Sequence, residues 1–521
     1  MKLDPIRLEI FRSLFSAVAE EMGATLMRSA ASPNIKERRD YSCAIFTGNG
    51  ELVAQGEHMP VHLGSMPLSV QTALEEVTFH PSDVVILNDP YKGGTHLPDI
   101  TMIAPVYVEE SDQPVFFVAN RAHHADIGGM SAGSMPLATE LYQEGVVIPP
   151  VKWVDQGVPN KDLERLILNN VRTPEERKSD LDAQSATLKV GEDRLLELAD
   201  RYGLETIRNF MQQVLEYSEQ LMRSELQDFP NGEYSAKDYL DDDGFSDDPV
   251  KIACKITIGD EKAIVDFSES SPQVRGSLNA VFAITYSATV YCFRCLAEQK
   301  IPVNDGCFRP LKVIAPKGKV VNANSPAAVA GGNVETSQRI VDVVFKALSQ
   351  VVPERVPAAS QGTMNNLAIG GTDENGKSFG YYETTAGGMG ARPTKQGISG
   401  IHTHMTNTMN TPIEALEMTY PFRITAYHFR RDSGGEGKFR GGDGLVRSLE
   451  LLTNASVTVL SERRKFQPYG LHGGESGKSG ENWLVEGDAR KKLPSKFNRQ
   501  CQAGEVIEMK TPGGGGYGES E

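Results

Sequence analysis

One stretch constrains the fold of this chain above all: Asn88–Gly129, NDPYKGGTHLPDITMIAPVYVEESDQPVFFVANRAHHADIGG. TMIAPVYV and PVFFVANR are short runs of β-branched and aromatic residues with a turn signal, SDQP, between them, a pattern that predicts an antiparallel hairpin. In such a hairpin the start of one strand lies beside the end of the other. His96 and Asp99 precede the first strand, and His123, His124 and Asp126 follow the second, so imidazoles and carboxylates gather at one end of a sheet. That set of N and O ligands suits Zn, Mn or Fe. Taken singly, Pro98-Asp99 is ordinary turn chemistry and a histidine often ends a strand. Five ionisable groups converging on one sheet edge have no evident packing reason, and together they predict a metal centre.

The flanking sequence supports a sheet there. Asp4 as N-cap and Pro5 in the first turn open a helix over residues 4–30, with Leu8, Phe11, Phe15, Val18, Met22 and Leu26 at helical spacing. Asp40 lies directly before the next strand, where its carboxylate can reach a sheet end as His96 does. CAIFTGNGELVAQG reads as a hairpin turning at Asn49-Gly50. HMPVHLGSMP, carrying His58 and His62, leads into a helix near 65–77; these histidines are either outer partners of the cluster or structural. VVILND delivers Asp89 to the same region. Lys92, Gly93, Gly94 and Thr95 offer an ammonium and backbone N–H groups to an anion, without forming a Walker loop.

Beyond residue 160 the organisation changes. Residues 160–228 read as helical, with two long amphipathic helices whose charged faces suit solvent or a partner. FPNGEYSAKDYLDDDGFSDDP is acidic and turn-rich and marks a junction. The resulting fold class is α+β, mixed α/β: an N-terminal α/β region with the metal site at strand ends (1–159), a long helical hairpin (160–229), a mixed region (230–360) and a glycine-rich β region completing the substrate pocket (361–521). Cys292 and Cys295 form a C-x-x-C inside TYSATVYCFRCLAEQ, a buried helix by its periodicity, where cysteine acts as a small hydrophobe. A second constellation, His402, His404, Asn407, Asn410 and Glu414, lies in GIHTHMTNTMNTPIEALE. His402 and His404 alternate as on a strand and suit a polar substrate, while Thr411 and Pro412 read as a helix entry.

Composition excludes several function classes. A net charge of −16 argues against general nucleic-acid binding. No apolar run approaches the ~20 residues that span a bilayer, and MKLDPIRLEIFRS lacks the apolar core of a secretion signal. Six scattered cysteines predict reduced thiols and a cytoplasmic protein. A nucleophile elbow, H-E-x-x-H, a usable nucleotide-phosphate loop and a dinucleotide fingerprint are all missing.

ERRDYSCAIF, NDPYKGGTHLPDI, RAHHADIGG, GGNVETSQR, HMTNTMNTPIEALE, GKFRGGDGLVR and TPGGGGYG, in this order, resemble the hydantoinase B family, whose members include the B-type components of ATP-dependent N-methylhydantoinases, 5-oxoprolinases and caprolactamase. The resemblance implies a partner, a hydantoinase A-type subunit in an A2B2 assembly, which uses ATP and Mg to phosphorylate the carbonyl of a cyclic amide. It places the ligands of one divalent ion on Asp40, His96, Asp99 and His123, leaving open whether His123 or His124 binds. It implies ring opening by metal-assisted attack of water with His124 or Asp126 as general base, and a phosphate held at Lys92–Thr95. An acetone-carboxylase-like large subunit is the alternative activity, and a non-catalytic stabilising partner is the alternative of another kind.

Overall fold

A computed structural model describes residues 4–56, 59–109 and 111–520, so His58 lies outside the described residues. Helix α1 (Pro5–Ser29) begins where the Asp4 carboxylate accepts hydrogen bonds from the backbone N–H groups of Ile6 and Arg7, donors that the first turn of a helix leaves open. The six apolar residues at helical spacing are all buried. Helix α2 (Pro33–Lys36) is a single turn before the first strand.

The first sheet holds β1 (Tyr41–Thr47), β2 (Leu52–Gln55), β3 (Val84–Leu87), β4 (Asp99–Val106), β5 (Phe116–His123), β6 (Val151–Asp155) and β7 (Val158–Pro159), in the order β2-β1-β5-β4-β3-β6-β7. Its ladders are antiparallel throughout. The hairpin expected from the sequence is β4 with β5, and its register pairs Asp99 directly with His123. Both strands are buried along their full length. Helix α3 (Ser65–Glu76) covers one face, and α5 (Pro174–Tyr202) the other. Successive residues of β5 show this: the Asn120 side chain donates to the Gln184 carbonyl of α5, while Arg121 reaches Ser65 and Ser69 of α3.

Helices α4 (Lys161–Leu168), α5 and α6 (Leu204–Gln227) form the expected helical region. The inner face of α5 is core rather than partner surface, with Arg177, Asp180, Gln184, Leu188 and Leu195 all buried. Residues 229–248 correct the sequence reading. The segment expected to be a turn-rich junction supplies β8 (Gly232–Leu240), paired along all nine residues with β9 (Val250–Gly259). Two of its aspartates, Asp241 and Asp242, are buried by partners remote in sequence. Asp241 accepts from the backbone N–H groups of Arg464, Lys465 and Phe466, and Asp242 pairs with Lys496 at 3.3 Å.

Strands β10 (Lys262–Asp266) and β11 (Leu311–Ile314) complete a second sheet, ordered β11-β10-β9-β8. Helix α7 (Phe282–Leu296) carries the C-x-x-C, and its cysteines are free thiols. Helix α8 (Asp305–Phe308) is one turn; α9 (Ser337–Leu348) packs on β8 and β9 and is entered through a single π-helical turn, Gly332–Thr336.

The remaining strands are β12 (Asn366–Thr372), β13 (Ser378–Thr384), β14 (Phe422–Arg430), β15 (Gly444–Leu451), β16 (Ala455–Leu460), β17 (Glu481–Glu486), β18 (Ala489–Leu493), β19 (Lys496–Cys501) and β20 (Val506–Lys510). They form two further sheets, β13-β12-β16-β19 and β14-β15-β20-β17-β18, with α10 (Ile413–Thr419) before β14. Helix α10 starts after Pro412 and has no side-chain cap, one residue later than the Thr411 entry expected. Among the described residues no helix is long and apolar enough to cross a membrane.

Candidate metal centre

Three ligand-bearing residues meet at the paired ends of β4 and β5: His96, Asp99 and His123, all buried, with ligand atoms within 4.8 Å of one another. Asp99 Oδ1 lies 3.2 Å from His96 Nε2 and 3.2 Å from His123 Nδ1. The other oxygen, Oδ2, accepts from Thr95 Oγ1 at 2.6 Å and faces His62 Nε2 at 3.6 Å. Burial opposes ionisation of Asp99, but the surrounding imidazoles outweigh it and hold the carboxyl well below its usual range. Burial likewise lowers the pKa of His123 against the pull of Asp99 and Asp40, which keeps its ring neutral, the form that binds metal.

The support around the cluster comes from several places in the chain. Asn333, on the π-helical turn, is 3.0 Å from His96 Nε2. The Tyr382 ring stacks on His123 at 4.8 Å, and its hydroxyl donates to Asn366, whose amide donates to Glu335 on the same π-helical turn as Asn333. Arg121 spends its guanidinium on Thr101, Ser65 and Ser69. Burial pushes it down to about 10, opposed by Asp99, so it stays charged and favours the ionised carboxylate. His62, buried and also 2.9 Å from Ser42 Oγ, completes the wall. Asp40 is buried where β1 runs beside β5; the His123 N–H donates to the Asp40 carbonyl, and the Asp40 charge acts on the His123 ring.

The residues fit a divalent ion. Two imidazoles and a carboxylate are a borderline-hard donor set. His62 Nε2, His96 Nδ1 and His123 Nε2 are buried without hydrogen-bond partners, a costly arrangement for a site that holds nothing.

From residue 4 to residue 520 the sequence matches the family described as Hydantoinase B/oxoprolinase. The chain belongs to that family. It is 40% identical over 543 residues to 5-oxoprolinase 1 of Arabidopsis thaliana, covering 99% of this chain and 42% of that protein. It is 32% identical to a Pseudomonas sp. protein named as a component of a D-/L-hydantoinase, covering 99% of this chain and 90% of that one. The crystal structure of an ATP-dependent caprolactamase from Pseudomonas jessenii shares the fold with a TM-score of 0.93 and 31% identity, covering 100% of this chain and 92% of that one. The chain spans about two fifths of the length of the 5-oxoprolinases it matches.

Other residues singled out in this hydantoinase B chain stand apart from the cluster. His124 turns to the opposite face of the sheet from Arg121, where Nε2 is 2.8 Å from Gln184 Oε1; burial and the Arg177 guanidinium push it down to about 4. Asp126 is committed to Arg172, accepting from its backbone N–H at 2.9 Å and its guanidinium at 2.8 Å. Neither is placed as a general base. Lys92 pairs with Glu76, and the N–H groups of Lys92 and Gly94 donate to the Asp89 carbonyl, so that loop folds on itself instead of opening to an anion. Gly93 serves the turn with φ +84°, and Thr95 serves Asp99. His402 and His404 do not lie on a strand: His404 has φ +60° and packs by Tyr291 and Phe345. Asn407 and Glu414 are exposed, while Asn410 donates to Glu383 and to the Thr384 carbonyl. Tyr382, Asn366 and Asn333 gave no local signal, because each reaches the cluster from a distant strand or turn; Arg121 lies on β5 two residues before His123, but its partners Ser65 and Ser69 are remote in sequence.

Glu335 and Glu144 give the fold a pH dependence. Both are fully buried, and burial, the largest cause in each, pushes both up to about 8. An acid held protonated in the folded chain is ionised in the unfolded chain above about pH 4.5, so folding takes up protons between there and pH 8. Stability therefore falls as pH rises through that window, by up to about 1.4 kcal/mol per pH unit for each group. The double variant Glu144→Gln, Glu335→Gln is expected to flatten the decline in melting temperature between pH 6 and pH 9. An unchanged slope would show that these carboxyls ionise normally.

Proposed function

We propose that this chain is the hydrolytic subunit of an ATP-dependent cyclic-amide hydrolase that opens hydantoin, 5-oxoproline or lactam rings. The observation that carries the reading is the buried His96–Asp99–His123 cluster, with Asp40 beside it, in a hydantoinase B/oxoprolinase chain whose relatives bear those activities in their names. A hydantoinase A-type partner, in an A2B2 assembly, uses ATP and Mg to transfer a phosphoryl group to the ring carbonyl oxygen. The amide carbon then becomes a far better electrophile. Water adds to it and the ring C–N bond breaks, its electron pair leaving on nitrogen, which takes a proton; a second water releases phosphate from the acyl phosphate.

His96, Asp99 and His123, with Asp40, would hold one divalent ion (Zn, Mn or Fe), which supplies Lewis-acid polarisation and lowers the pKa of water. The chain's own groups set the stage for that chemistry. Thr95 fixes Asp99 Oδ2, Asn333 and the Tyr382 ring orient the two imidazoles, and the imidazoles keep the carboxylate ionised. His62 is the imidazole that faces the cluster, and it takes the proton-accepting role in this reading.

The test is co-purification with the A-type partner, followed by a panel of 5-oxoproline, hydantoin, N-methylhydantoin and caprolactam with ATP. One ring is expected to open with stoichiometric ADP. ATP turnover by the metal-loaded pair with no ring opened would reject the reading.

A further inference from the structure

The motif E-R-R-D places Arg38 and Asp40 inward, with Arg39 turned out between them at φ +57°. Asp40 belongs to the metal region; Arg38 is the residue without an explanation. Its guanidinium is fully buried, yet its three hydrogen bonds all go to neutral acceptors: Asn34 Oδ1, the Tyr382 carbonyl and Thr384 Oγ1. It also lies 5.0 Å from the centre of the Tyr382 ring that stacks on His123. A buried cation partnered only by neutral groups is expensive unless an anion completes its surroundings.

The groups around it are unsatisfied in the same sense. Arg38 Nε, Asn34 Nδ2 and both ring nitrogens of His402 are buried without hydrogen-bond partners. His402 lies close enough for the Arg38 charge to act on it, and burial with that charge pushes it down to about 3. It is therefore neutral and offers one N–H. The loop that carries His402 closes over Arg38, the Met409 N–H donating to the Arg38 carbonyl.

We infer that Arg38 and His402, with Asn34, form an oxyanion subsite beside the His96–Asp99–His123 cluster, taking the transferred phosphoryl group or the carboxylate of the reacting substrate. The assignment rests on the cyclic-amide reading for the identity of the anion, but its test does not need turnover. It supersedes the Lys92–Thr95 loop as the place where phosphate is held, since the donors of that loop are spent on Asp89 and Glu76.

The experiment is calorimetric titration of the full chain with inorganic phosphate and, separately, with 5-oxoproline, at constant ionic strength. Wild type is expected to bind at least one of them saturably. Arg38→Gln is expected to weaken that binding about 10-fold or more. His402→Leu is expected to weaken it several-fold while melting no lower than wild type, because the ring nitrogens it removes have no protein partners. Metal content should stay unchanged in both. Weakened phosphate binding identifies the phosphoryl group, and weakened 5-oxoproline binding identifies the carboxylate. Should Arg38→Gln fail to fold, His402→Leu alone decides. If wild type binds neither anion, or His402→Leu binds as wild type does, the subsite is overturned. Failure of ring opening with intact anion binding would instead count against the activity and leave the subsite standing.

Discussion

Asp99→Asn is expected to lower bound divalent metal to background and ring opening by well over 100-fold, since loss of outer partners of a metal site alone costs about 10–100-fold. The side chain keeps its shape, so the effect isolates the charge. Asp99 stands between His96 and His123 at 3.2 Å each, with Thr95 and His62 on its other oxygen. In the proposed site, removing its charge would take a ligand from the ion. It also leaves Arg121 buried among three hydroxyls without the carboxylate that offsets its charge. A buried charge left without the opposite charge that offsets it is costly, so the metal-free variant should also melt at a lower temperature. Metal analysis and thermal denaturation of the purified chain check both halves. Stoichiometric metal in the variant would remove Asp99 from the site.

Gly514→Ala is expected to cost about 4 kcal/mol or more and to leave the C-terminal region unfolded. The tail TPGGGGYG does not end the chain loosely. Gly514 donates its N–H to Gly442, and accepts from Gly435, while Gly515 and Gly516 donate to Ala359 and Glu475. A Cβ on Gly514 would sit 2.1 Å from the Met389 carbonyl oxygen, and one on Gly388 would sit 2.0 Å from that of Gly442. These are backbone atoms in neighbouring segments and cannot swing aside, so the added methyl forces the segments apart and breaks several hydrogen bonds together. Chemical denaturation followed by the Trp483 region would read the loss. A variant with wild-type stability would mean that the segments are not packed this closely in solution.

The hairpin and the gathering of His96, Asp99 and His123 at its end were legible because everything needed was local: two strands, a turn, and histidines and an aspartate at fixed offsets from them. The first helix was legible for the same reason, its cap and apolar spacing lying within one segment. The β character of the glycine-rich region after residue 360 was legible, although the backbone segments that its glycines approach could not be named. The junction reading of 229–248 failed because Asp241 and Asp242 look solvated in sequence, whereas Arg464, Lys465, Phe466 and Lys496 satisfy them from more than 200 residues away. The strand expected at His402 and His404 failed because the segment takes a left-handed turn at His404 and packs by contacts with Tyr291 and Phe345.

What the sequence by itself determined was the family, the hairpin and the residue types at its end, since register within a hairpin follows from pleat and turn alone. Only the tertiary structure decided which side chains face the site. Strand alternation sends His123 to the cluster and His124 to α5, and Arg172 takes Asp126 out of play. His62, Asn333 and Tyr382 are recruited from three other segments, Arg121 joins them from the strand that carries His123, and Arg38 is left as an unbalanced buried charge. The physical reason is that hydrogen bonding and burial of these groups depend on long-range packing, which no local pattern encodes.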